Sequence, residues 1–343
     1  MLLGIDFNTW WFVVILLCIV GYTVLDGFDL GVGILHICVK DNYERRVFMN
    51  AIGPVWDGNA VWLIIVVGGL FAGFPGTYAT IMSSFYIPIT IFIAGLILRA
   101  VAIEFRGKNE SRGWRKLWDN VFFAASLIIA FGVGILLGNM IQGIPLDSAE
   151  DFTGDLRDML TPYTILVGIT AVACFVMHGV LYLVMKTEGE LHDKVRGWVN
   201  RCIIFFIVSY YITTMATLIY QPHMIARLQN RPYLFIFALI SMLAIANIPR
   251  LVSKAKDGMA FLFSGFSIAS LIALFGIGIY PVLLRSTVDP EQNSLTIYNT
   301  GSSLLTYKIL MIIVAIGVPL VFVYGTIVYR TFRGRVKIDR HSY

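Results

Sequence analysis

Nine apolar runs, each long enough to cross a bilayer, divide this chain, and its basic residues crowd into alternate connections between them. The runs lie near 10–38, 57–74, 78–104, 118–142, 162–185, 201–220, 233–249, 259–284 and 305–329. Crossing the hydrocarbon takes about 20 residues of helix. Inside lipid every backbone N–H and C=O must find its partner within the protein, and a helix does this alone. The runs therefore predict an all-α integral membrane protein, a single polytopic domain over residues 1–343. The composition, 58% hydrophobic and 14% charged, exceeds what a soluble core could hide from water.

The cations predict the orientation. With the N-terminus outside, the inner connections are 39–56, 105–117, 186–200, 250–258 and the tail from 330. Together with Arg201 at the inner mouth of the sixth run, they hold twenty of the 26 Lys and Arg residues. The outer side holds five: Arg157, Arg227, Arg231, Arg285 and Lys308. This is the positive-inside bias of an inserted protein, and it predicts nine transmembrane helices, N-out and C-in. An eight-helix count would scramble it. The net charge of +5 then reflects loops facing anionic lipid. No basic stripe with interleaved aromatics points to nucleic acid. Cys18, Cys38, Cys174 and Cys202 form no CxxC pair and sit in spans or at their inner ends, so buried packing is expected, with no disulfide or metal. The first run lacks a basic leader and reads as a retained span.

Ionisable residues inside the runs cost about 2.5–3.5 kcal/mol each on insertion scales and need a reason. Asp26 and Asp29, three residues apart, share one helical face, beside glycines at 27, 31 and 33 that permit close helix contact or a water-filled gap. Asp57 follows Pro54 and Trp56 at the start of the second run, with Asn59 just beyond. It reads equally as a first-turn carboxylate at the positive end of the helix dipole and as a functional acid. Arg99 and Glu104 reach the same side from the third run, as do His36 and His178. Carboxylates leading from an inner surface towards mid-membrane suit proton conduction. Arg99 reads first as the ion-pair partner of one aspartate, and Trp56, which with Trp62 flanks Asp57, as a residue that packs against a partner. Of the five histidines, only His178 lies well inside a run, and no facing histidine completes a haem-ligand pair. Acids at 147, 150, 151, 155 and 158 mark a solvated outer loop.

Two segments, Asp26-Gly-Phe-Asp29-Leu-Gly and Trp56-Asp57-Gly-Asn59, resemble subunit II of the cytochrome bd-type quinol oxidases. So does the surrounding run from Glu44-Arg45-Arg46 through Asn50, Pro54 and Trp62. Further along, Arg99, Phe105-Arg106, Trp114 to Asp119, Gly138-Asn139 to Pro145 and Thr187 to Leu191 are similar in order and spacing. Beyond about residue 195 the likeness rests on the number and length of spans.

The resemblance implies a multi-pass protein of the bacterial inner membrane, in a heterodimer serving respiratory electron transport. Subunit I would carry haem b and haem d, oxidise quinol and reduce O2 to water. Subunit II would hold two four-helix bundles and one peripheral helix, support haem assembly and contribute a cytoplasmic proton-uptake path. The resemblance carries that path to Asp57 first and Asp29 second, with Asp26 and Glu104 as further candidates and Arg99, Trp56 and Asn59 as partners. It implies no catalytic residue in this chain, and it leaves open a structural quinone and a small accessory subunit. Two other readings compete. One is a cation-coupled secondary transporter using Asp26 and Asp29, although no inverted repeat is evident. The other is a scaffold in which every buried charge is an ion pair.

Overall fold

Short polar side chains open several of the helices. Asp6 accepts the Thr9 N–H at 2.8 Å and starts α1, Phe7–Leu35. Asp41 caps α2, Asn42–Ile52, a polar connecting helix. Ser111, Thr161 and Ser303 cap α6, Arg112–Gln142, α8, Pro162–Lys186, and α14, Leu304–Thr331. The structure, a computed structural model, describes residues 4–338. Arg340 and His341, which the sequence places in the inner tail, lie outside the described residues.

The remaining long helices are α3, Trp56–Gly73, α5, Tyr86–Phe105, α9, Gly189–Tyr220, α11, Phe235–Ser253, and α12, Asp257–Ile279. Shorter helices complete the chain: α4, Pro75–Ser84, α7, Leu156–Met159, α10, His223–Asn230, and α13, Pro290–Asn293. Among the described residues nine helices are long and apolar enough to cross a membrane.

Their ends depart from the apolar runs where local chemistry intervenes. The third run breaks at Phe85 into α4 and α5. Pro88 lacks an N–H and its ring would meet the Ser84 carbonyl, so a continuous helix cannot pass. The sixth helix begins at Gly189 because residues 189–200, although polar, keep Leu191, Val195 and Val199 on one buried stripe. The eighth stops at Ile279, since the residue before Pro281 is driven from helical geometry. Residues 282–284 then form a strand, β1, Val282–Leu284, antiparallel to β2, Leu295–Thr296.

Connections 36–55, 106–111, 187–188 and 254–256 gather at one end of the molecule, called here the basic end because these connections and the helix ends flanking them together hold most of the cations. The helix α8 sits at the centre, against α1, α6, α9 and α12. Glycines permit its closest crossings. A Cβ on Gly31 would fall 1.9 Å from the Phe175 carbonyl oxygen, and one on Gly134 would fall 2.6 Å from the Gly168 Cα. The helix α14 leans on α1 and α3 and buries only Tyr307. Large apolar side chains such as Ile64, Ile97, Ile219 and Leu320 are exposed along the spans, as lipid or a partner's apolar face requires.

Candidate functional site

The polar residues of α1, α3 and α5 meet in the interior. Asp26 and Asp29 are both 0% exposed and Arg99 is 2% exposed. The Arg99 guanidinium forks onto Asp26, Nη1 to Oδ2 at 3.0 Å and Nη2 to Oδ1 at 2.7 Å. Both terminal nitrogens are spent on that one carboxylate. The expectation that Arg99 pairs with one aspartate therefore holds, and the structure identifies Asp26 as the partner.

Asp29 is held differently. Its Oδ2 accepts the Asn59 amide nitrogen at 2.7 Å, and its buried Oδ1 has no hydrogen-bond partner among the described residues. The same Asn59 nitrogen reaches the Leu25 carbonyl at 3.2 Å. On its other side Asn59 accepts the Tyr329 hydroxyl of α14 at 2.9 Å. The cluster thus contains two acids, one permanent cation and neutral donors. Within it the Arg99 guanidinium and the Asp26 carboxylate form the one ion pair among the described residues of the cluster. Asp29 makes no ion pair among the described residues and is held by neutral donors alone.

The other candidates stand apart. Asp57 and Glu104 are exposed on α3 and α5 near the basic end and do not enter the cluster. Asp57 lies in the first turn of α3, where no side chain caps the helix. Trp56 is half-buried and packs against the core at that end. His178, buried on α8, uses both ring nitrogens, Nδ1 with Ser264 Oγ at 2.7 Å and Nε2 with the Val24 carbonyl at 3.0 Å. Its ring stacks on Phe261, with centroids 4.6 Å apart. Cys18, Cys174 and Cys202 are buried as expected, but Cys38 is exposed, because the short turn His36–Cys38 carries it beyond the helix packing.

A second polar centre was not singled out from the sequence. Asp119 of α6, 3% exposed, accepts His36 Nε2 at 2.6 Å, Arg106 Nε at 2.5 Å, and Arg45 through its second oxygen. Arg106 also donates to Asn42 Oδ1 at 3.0 Å. One carboxylate thereby ties the end of α1, the connecting helix α2, the turn after α5, and α6. His36 is consumed here and does not belong to the Asp26–Asp29 group. Only the arginines at 106, 112 and 115 beside Asp119 hinted at such a clamp.

At the opposite end Ser286 bridges the loops, its hydroxyl donating to the Leu146 carbonyl at 3.0 Å. His223 meets the Ile141 carbonyl at 2.9 Å, while burial, with Arg285 nearby, holds its imidazole below the ordinary range. Between α1, α3, α12 and α14 lies a cavity of about 810 Å³, walled by Leu17, Val24, Trp62, Phe266, Val318 and Phe322. The walls are apolar and suit a hydrocarbon or isoprenoid tail, not a charged group.

Known proteins are similar to this chain in sequence and in fold. The family model described as cytochrome bd terminal oxidase subunit II matches residues 7–332. The chain is 33% identical over 333 residues to the cytochrome bd ubiquinol oxidase subunit 2 of Bacillus subtilis (strain 168), spanning 95% of this chain and 96% of that one. It is 30% identical over 368 residues to the cytochrome bd-I ubiquinol oxidase subunit 2 of Escherichia coli (strain K12), spanning 97% of each. The bd oxidase structure from Geobacillus thermodenitrificans matches with a TM-score of 0.79 at 20% identity, covering 96% of this chain and 99% of that one. At that identity the likeness establishes the fold.

Proposed function

Since the chain belongs to the cytochrome bd terminal oxidase subunit II family, and so is a multi-pass subunit of a bacterial inner-membrane oxidoreductase complex, we propose that it leads protons from the cytoplasm towards the oxygen-reducing partner subunit. The observation that carries this reading is the buried acid pair with a single arginine, which is bonded to Asp26 while Asp29 makes no ion pair among the described residues.

The orientation is N-out and C-in, which turns the basic end towards the cytoplasm. The helices α1, α3, α5 and α6 form one four-helix bundle, α8, α9, α11 and α12 form the other, and α14 is the peripheral helix. The partner, subunit I, ligates haem b and haem d and takes electrons from quinol. A small accessory subunit would lie beyond these two. Asp57 and Glu104, exposed at the basic end, are entry-side groups, and Asp29 is the interior one. The apolar cavity fits the tail of a structural quinone. Membership of this family leaves the transporter alternative without support.

Protons drawn from the cytoplasm to reduce O2, while quinol releases its own outside, separate charge without a pump. Each charge moved against about 100 mV stores about 2.3 kcal/mol. Sidedness of uptake is what makes the reaction conserve energy.

The test is purification of the complex through a tag on this chain. Haem bands with a larger co-purifying subunit, and slowed oxygen consumption in an Asp29→Asn complex of equal haem content, support the reading. A colourless single chain, or an Asp29→Asn complex at the parental rate, contradicts it.

A further inference from the structure

We propose that Tyr329, on the loosely packed helix α14, is a positioning residue for Asp29, acting through the side chain of Asn59. This inference rests on the proton-path reading of Asp29.

The geometry is a line of three side chains from three helices. Tyr329 Oη donates to Asn59 Oδ1 at 2.9 Å, and Asn59 Nδ2 donates to Asp29 Oδ2 at 2.7 Å. An amide can present either its oxygen or its nitrogen to a neighbour, and what it meets on each side decides which. Two contacts decide here. The Leu25 carbonyl, an acceptor only, takes the Asn59 nitrogen at 3.2 Å, and the Tyr329 hydroxyl supplies a donor to the oxygen. Together they turn the N–H face of Asn59 towards Asp29. That donor bonds an ionised carboxylate more strongly than a protonated one, whose proton can sit on the unpartnered Oδ1 while Oδ2 still accepts.

Asn59 is 3% exposed and Asp29 is 0% exposed, so neither can recruit bulk water in place of a lost partner. Removal of the Tyr329 hydroxyl leaves the Asn59 oxygen buried without a donor, and the pressure to reverse the amide rises. The remaining groups around Asp29 are Asp26 and Tyr22 on α1, Arg99 on α5 and Tyr182 on α8. Arg99 is committed to Asp26, and the Tyr182 hydroxyl to the Ala51 carbonyl at 2.8 Å. The terminal nitrogens of Arg99 and the Tyr182 hydroxyl cannot take over the role of Asn59 without breaking those bonds, whereas Arg99 Nε and the Tyr22 hydroxyl are buried with no hydrogen-bond partner among the described residues.

A structural purpose for the Tyr329 hydroxyl is less complete. The helix α14 buries no residue fully near this end, where Val328 and Tyr329 are half-buried against the core, and its one buried side chain, Tyr307, lies at the other. A single hydroxyl reaching inwards from such a helix serves the group it touches.

The experiment compares the purified, haem-loaded complex in five forms: parental, Tyr329→Phe, Asn59→Leu, the double variant, and Asp29→Asn. Haem bands and subunit ratio confirm assembly, and Asn59→Ala replaces Asn59→Leu should the latter not assemble. Tyr329→Phe is expected to slow quinol-driven oxygen consumption by about three- to tenfold, the scale of one neutral hydrogen bond. It should also displace the pH profile of turnover, and adding Asn59→Leu should cost little more than Asn59→Leu alone. A parental rate and pH profile in Tyr329→Phe, beside a slow Asp29→Asn, overturns the inference and spares the proton path. A slowed rate with an unmoved pH profile, or fully additive effects, reduces Tyr329 to packing and also overturns it. A parental rate in Asp29→Asn removes the proton path itself, and the inference with it.

Discussion

At the residue scale, the buried ion pair and the uncompensated acid make opposite predictions. Arg99→Leu strands the Asp26 charge in the interior, a loss of about 3–5 kcal/mol by analogy with broken buried pairs. The detergent-solubilised complex should melt at lower temperature, and an Arg99→Leu/Asp26→Leu double variant should recover much of the difference. Asp57→Asn should slow turnover less than Asp29→Asn does, because Asp57 is exposed and neighbouring water can replace it. Equal losses at matched haem content would show that entry limits the rate. The sequence exposed these acids through their spacing and their cost in lipid. It did not separate their partners, because Arg99 joins Asp26 across 73 residues and Tyr329 joins Asn59 across 270. Asp119 escaped notice for the same reason: its partners lie 83, 74 and 13 residues away.

At the element scale, span number was legible because hydrocarbon thickness sets a length that only apolar runs satisfy. Span ends were less so. The polar first turns of α9 read as a loop, yet they continue as helix over the basic end, pinned by Lys194 to Glu44 at 2.7 Å and Arg196 to Asp257 at 2.6 Å. Such half-exposed pairs contribute about 0–1 kcal/mol each. Helix crossing depends more on missing side chains. Gly31→Ala drives a methyl group into the Phe175 carbonyl, so α1 and α8 must separate. The yield of assembled complex should fall severalfold, as read from haem content per cell. Gly317→Ala on α14 meets nothing within 4 Å and should leave that yield intact. Similar losses from both would mean that glycine itself, and not the crossing, matters.

At the scale of the whole molecule, the segregated cations support the proposed orientation and so the proposed direction of proton uptake. Cys38 is exposed at the basic end. A membrane-impermeant maleimide should label it in inverted vesicles and not in right-side-out ones. A cysteine placed at the exposed Gln292 should show the reverse. The strand pair and the Ser286 bridge at that opposite end were invisible in the sequence, since each strand is too short to show alternation and pairs through a loop. The proposed proton uptake from the basic end through Asp29 joins all three scales, and one measurement addresses it most directly. The purified complex is reconstituted into liposomes holding a pH-sensitive dye, and quinol is added while oxygen consumption is followed. The predicted result is proton loss from the compartment facing the basic end, falling in proportion to oxygen consumption in Asp29→Asn. Proton loss from the opposite compartment, or full uptake in Asp29→Asn, would contradict the account.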